Sequence, residues 1–412
     1  MESDFGGCVM RRRVCFSFLL FVLVFGFVAQ VLGQPPYPSD AVMLFGSPVR
    51  VYVVDLDGVG GFRAANHSEV VRGVLNVSLG YDGSYDLNSK TYVFINVSYQ
   101  MVRDWQTYRY IVENGSNCII VNTHDEILPV PNGYSREEWI DKIADFILNR
   151  WGTWVHTGGL AFHIIQYQNG TRQEWTNGLK QLMKKANINI TLKNPTAHNP
   201  LVEMTTSKLD EFFVVSNVRE YKVLPLRTFN YASCEKFDID YCIYVGEESQ
   251  STGLTAFDVL MLDVYATFSL EYILSAAFKL SNSPDQYGVF IYSSPWIFCD
   301  GDGNLMEPED CSLAMGAIPM AAALWAEAVY PAQKMIQAER SEHKNEELLQ
   351  KAKNLYIEGK YKQAAVEAEK AMKVQDIPTA AILALTTTFA VIAAAVLIQK
   401  RRRNKGKSTD TT

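Results

Sequence analysis

Cys118-Ile119-Ile120-Val121-Asn122-Thr123-His124 and Trp154-Val155-His156-Thr157-Gly158-Gly159 are two short apolar runs that each end in polar residues. The segment between them has a different period. Residues 118–121 are apolar, three of them β-branched, and the run is bounded and too short for a helix, so 118–122 reads as a buried strand. Ser135 and Glu138 have the spacing of a capping box. Beyond them Trp139, Ile140, Ile143, Phe146 and Ile147 fall on one helical face. Thr153 to His156 then reads as a second strand ending at Gly158-Gly159. Strand, helix, strand in this rhythm specifies parallel strands joined by a crossover, so the fold class is α/β, a mostly parallel sheet flanked by helices.

Working outward, Val49 to Leu56 reads as a strand, and Thr91 to Tyr99 alternates like a half-exposed one. Phe162 to Tyr167 fits a strand or the start of a helix, and a polar helix is expected over Arg172 to Lys185. Ala314 to Tyr330 is an apolar helix broken by Pro319. From Ala338 the composition turns charged and helix-favouring. Ala352, Leu355, Tyr356, Gly359, Tyr361, Ala364, Ala368 and Ala371 then fall at the small and aromatic positions of a single tetratricopeptide-like hairpin. One copy cannot build a repeat array, so residues 336–375 read as a membrane-proximal helical stalk.

The two ends of the chain are apolar and differ in character. Arg11, Arg12 and Arg13 precede an apolar run from Val14 to Gly33, which reads as a signal peptide over 1–33 or an uncleaved N-terminal anchor. Ile377 to Ile398 is 22 residues without a charge, long enough for a transmembrane helix over 376–398. Lys400, Arg401, Arg402, Arg403, Lys405 and Lys407 follow, which predicts a basic cytoplasmic tail over 399–412. Residues 34–335 then form an extracellular α/β domain. Six Asn-x-Ser/Thr triplets, at Asn66, Asn76, Asn96, Asn114, Asn169 and Asn189, all lie in that exterior portion as glycosylation candidates.

Charge and cysteines bear on the same question. The chain has 38 basic and 45 acidic residues; removing 3 and 2 for residues 1–33, and 6 and 1 for 399–412, leaves 29 basic and 42 acidic outside. A net charge of −13 on the exterior portion argues against nucleic acid as a partner. Cys234 with Cys242, and Cys299 with Cys311, bracket short segments and are expected as local disulfides in an oxidising compartment. Cys118 reads as a buried strand thiol. Asp300, Asp302 and Asn304 alternate like the opening of a calcium loop, a candidate for structural calcium and the one cofactor suggested. Leu305 replaces that loop's turn glycine, and Cys311 its bidentate glutamate. Asp55-Leu56-Asp57-Gly58 has the same flavour.

Cys118–His124, Trp139–Trp151 and Trp154–Gly159 together resemble the class I glutamine-amidotransferase-like superfamily, and within it the ThuA-like branch. The resemblance covers residues 118–159. It implies a flavodoxin-like, amidotransferase-like sheet in which Gln286 to Tyr292 supplies a closing strand. Catalytic members carry a cysteine on a tight Gly-x-Cys-x-Gly turn, where backbone donors and a histidine activate the thiol. Here Thr157-Gly158-Gly159-Leu160-Ala161-Phe162 places neither thiol nor hydroxyl at the turn. The hairpin, span and basic tail also resemble archaeal cell-surface proteins.

His124, Asp125, Glu126, His156 and His163 are the remaining chemical cluster. His124 and His156 would sit near the ends of neighbouring parallel strands, where ligands bind in such sheets. They are either a metal, sugar or hydrolytic site, or loop polar groups satisfied by local hydrogen bonds. The expectation is a membrane-anchored, glycosylated surface protein whose α/β domain is non-catalytic and serves binding or envelope structure, with a cell-envelope protein or glycan as partner. The alternative is an extracytoplasmic hydrolase of sugar or peptide substrates.

Overall fold

A computed structural model of the chain describes residues 42–60, 84–88, 90–124, 126–157, 160–193, 275–293 and 322–373, residues 68, 71, 72, 75, 319 and 320, and short strands at 201–204, 228–230, 242–244, 256–262, 264–266 and 272–273. Residues 44–85 and 93–412 group as one compact unit, and 1–43 with 86–92 as a smaller one.

The centre of the larger unit is a seven-stranded sheet. In chain order the strands are β1 (Val49–Val54), β2 (Val97–Val102), β3 (Ile119–Asn122), β5 (Thr153–His156), β8 (Ala256–Leu262), β9 (Ser275–Ser283) and β10 (Gln286–Ser293). In space they run β8-β9-β10-β5-β3-β1-β2. From β10 to β2 every pair is parallel, while β9 and β8 extend the sheet antiparallel. The five parallel strands, counted along the chain, take the order 2-1-3-4-5, in which a doubly wound sheet reverses between its first and third strands. β3 and β5 are buried at all four positions, as strands covered on both faces must be.

Helices α1 (Trp105–Asn114) and α2 (Arg136–Asn149) follow β2 and β3. α2 begins at the expected capping box: Ser135 Oγ accepts from the Glu138 N–H, and Glu138 accepts from the Ser135 N–H. Its buried Trp139, Ile140, Ile143, Phe146 and Ile147 join a core with Ile120, Trp154, Phe162 and Phe290. Each such side chain contributes roughly 1.5–3 kcal/mol. Gly288 in β10 is required by close approach: a Cβ there would meet the main-chain oxygens of Ile147 and Gly152.

A second, three-stranded sheet stands at the carboxyl ends of these strands. It runs β7 (Arg172–Glu174), β6 (Ile164–Tyr167), β4 (Ile127–Val130). Two expectations are corrected by these elements. The strand expected over Thr91–Tyr99 is two, Thr91–Phe94 and β2, divided at Ile95–Asn96, and the first belongs to a separate three-stranded sheet. The polar helix expected from Arg172 begins only at Gly178, as α3 (Gly178–Lys185), because Arg172–Glu174 pairs with Ile164–Gln166 as a hairpin.

The helix expected to end at Tyr330 does not end there. A π-helical turn over Trp325–Val329 leads directly into α4 (Tyr330–Arg340). The helical hairpin expected over 336–375 is α5 (Glu346–Ile357) and α6 (Tyr361–Lys373), turning at Gly359 with φ +77°. It belongs to the same unit as the sheet. The Ser47 N–H donates to Ile357 O at 3.0 Å, and Tyr356 Oη to Ala328 O at 3.1 Å. Among the described residues no helix is long and apolar enough to cross a membrane. Residues 1–33 and 376–412 lie outside the described residues, and so do the turn Gly158-Gly159 and the loop of Asp300, Asp302 and Asn304.

Candidate functional site

In an open parallel sheet ligands bind beyond the carboxyl ends of the strands, beside the reversal of strand order. Here that place lies between β1 and β3. It is built by Asp55–Gly60 after β1, Thr123 and His124 after β3, and His156 and Thr157 at the end of β5.

His124 is buried completely. Its Nε2 accepts the Leu56 N–H at 2.9 Å, tying the end of β3 to the end of β1. That bond requires an unprotonated Nε2, so the ring proton of the neutral form is on Nδ1. Nδ1 has no hydrogen-bond partner among the described residues. Burial lowers the imidazole pKa to about 4, because a charged ring in this apolar setting would lose its hydration. His124 is therefore a neutral acceptor for a backbone donor.

The neighbouring polar side chains are also engaged locally. Thr123 Oγ1 donates to Val54 O at 2.6 Å, and Thr157 Oγ1 to Asn122 O at 3.0 Å. Asn122 Nδ2 donates to Ile127 O at 2.9 Å, and its Oδ1 accepts the His124 N–H at 3.3 Å. His156 lies in register with Asn122 across the β3–β5 pair. It is buried, with its ring 6.2 Å from that of Phe162. Phe162 adopts φ +66°, a conformation that strains a bulky residue, and its ring also lies 6.0 Å from Trp154 and from Phe290.

The second sheet adjoins this edge. β4 begins three residues after His124, and β6 directly after His163. Gln166 of β6 grips the turn after β1. Its Nε2 donates to Gly58 O at 2.8 Å, while its Oε1 accepts the Gly60 N–H at 3.3 Å and Arg172 Nε at 2.8 Å. Asp55 turns instead toward Arg103, 3.9 Å away. Gln166 and Arg172 belong to no motif of the sequence. The signal that could find them is Asn169-Gly170, in a three-residue hairpin loop over 168–170 with Gly170 at φ +86°, which brings Arg172 opposite Gln166.

The structure thus brings His124 and His156 to adjacent strand ends, both buried. Among the described residues no group of three or more His, Cys, Asp or Glu side chains is arranged to hold a metal. Cys118 is a buried free thiol at the opposite end of β3, and loss of hydration pushes it up to about 12. Asn96, Asn114, Asn169 and Asn189 are exposed. Asn66 and Asn76 lie outside the described residues, as do Cys234, Cys299 and Cys311, while Cys242 opens the short strand Cys242–Tyr244. No family model matches the chain, and no curated protein or solved structure matches it.

Proposed function

We propose that this chain is a membrane-anchored, glycosylated extracytoplasmic surface protein. Its flavodoxin-like, amidotransferase-like α/β domain acts in binding or envelope structure rather than catalysis. The observation that carries this reading is the state of the carboxyl edge. His124 is spent on a backbone N–H, Thr123 and Thr157 are spent on backbone carbonyls, and Gln166 of the second sheet is bonded to the turn after β1. A general base needs a free lone pair within reach of a substrate proton, and His124 offers neither. The ThuA-like resemblance supports the same reading, because the nucleophile turn of catalytic relatives has no counterpart in Thr157–Phe162.

The exterior location rests on the two apolar end segments, the basic tail and the four exposed sequons. The partner is then a cell-envelope protein or a glycan. Mass mapping of the membrane-extracted protein tests the location, with protease added to intact cells alongside. The expected result is sugar on the Asn114 and Asn169 peptides, an ectodomain shaved by protease, and a protected tail after Gln399. Unmodified sequons together with a protected 42–193 region would overturn it.

A further inference from the structure

We propose that the buried pair Lys362–Glu327 sets the register of α6, the last helix among the described residues, so that α6 ends at Lys373 in one fixed place. Lys362 and Glu327 are ion-paired with side chains 0% and 1% exposed. Each has a second partner at the base of β5. Thr153 Oγ1 donates to Glu327 Oε2 at 2.9 Å, and Lys362 Nζ donates to Trp151 O at 2.9 Å. Three segments far apart in sequence meet there: the strand base, the π-helical turn and the first turn of α6.

Two physical costs argue that this placement is selected for a purpose. A cation in the first turn of a helix opposes the macrodipole, and Lys362 is the second residue of α6. Burying both charges forfeits their hydration, so such a pair is poor evidence of stability for its own sake. Its best-attested use is specificity. α6 needs specificity, because its buried face is mostly small: Ala364, Ala365, Ala368 and Ala371 are all at most 1% exposed. A face of alanines presents shallow ridges and distinguishes weakly between axial positions one turn, about 5.4 Å, apart. A charge that finds its partner at one position only removes that ambiguity. The π-helical turn over Trp325–Val329 is where Glu327 is presented, and such turns are frequent at functional sites.

The test uses the full chain in detergent, with a photoreactive benzoylphenylalanine at position 285. Asp285 and Lys370 are 3.0 Å apart, so photocapture reports which part of α6 faces β10. The wild-type chain should be captured within one turn of Lys370. The double variant Lys362→Met/Glu327→Met should still unfold cooperatively but be captured at positions spread a full turn away. Each single variant should lose folded yield, since it leaves one buried charge alone. A double variant that folds and gives the wild-type capture pattern overturns the proposal. So does a double variant that no longer folds, because the pair would then serve stability rather than register.

Discussion

Acidification should weaken this fold through His124, and the size of the effect can be worked from its burial. The imidazole in an unfolded chain has a pKa of 6.5, and in the folded protein burial lowers it to about 4. Between those values the unfolded chain binds a proton that the fold refuses, so stability falls as pH falls. Above about pH 7.5 neither state is protonated there and nothing is lost. Each pH unit by which the two values differ is worth about 1.36 kcal/mol. The loss attributable to His124 is then about 2 kcal/mol at pH 5 and about 3 kcal/mol near pH 3. Other groups titrate in this window, so the measurement is a difference. Urea unfolding of the detergent-purified chain is followed from pH 8 to pH 3.5 for wild type and for His124→Gln, whose amide oxygen still accepts the Leu56 N–H. Below pH 6.5 the wild type should lose stability faster than the variant by these amounts. Parallel curves would refute the reasoning, as would an NMR titration placing His124 near 6.5.

Three further outcomes are expected from the packing. Gly288→Ala forces a Cβ against the main-chain oxygens of Ile147 and Gly152; thermal unfolding should show a loss of about 2 kcal/mol or more. Ser135→Ala removes the acceptor for the Glu138 N–H and should cost about 1 kcal/mol by urea denaturation, without changing the m-value. Cys118, a buried thiol held up to about 12, should react with maleimide at the rate of unfolding. Peptide mapping that found it labelled rapidly in the folded chain at pH 8 would contradict its burial.

The elements legible in the sequence are those whose signals are local and strong. Residues 119–121 and 154–155 are apolar centres of short strands with no polar alternation to confuse them, and α2 announces itself by Ser135 and Glu138. β10, expected as the closing strand, pairs parallel with β5. Elsewhere tertiary pairing overrides propensity. Arg172–Glu174 is polar and helix-tolerant, yet the Asn169-Gly170 turn folds it back onto β6. Thr91–Tyr99 alternates without interruption, but its chain changes sheets at Ile95–Asn96. His124 and His156 do fall at strand ends, as the pattern of apolar runs implies. Their burial is not legible, because the second sheet that adjoins the edge is built from short strands such as Ile127–Val130, interrupted by Pro129. Glu327 is visible as a lone charge in an apolar run. Its partner, 35 residues on, is not.

The bond from Ser47 Oγ to Ile357 O joins residues 310 positions apart, and Trp151 waits for Lys362 in the same way. A chain emerging during synthesis therefore makes the base of its sheet long before the groups that finish it exist. Until then Glu327 is a carboxylate with its counter-charge missing beside an apolar wall, a state that favours hydration over closure. A product truncated short of residue 362 lacks the cation that meets Glu327 and Trp151, so limited proteolysis is expected to cut it at that seam faster than it cuts the full chain.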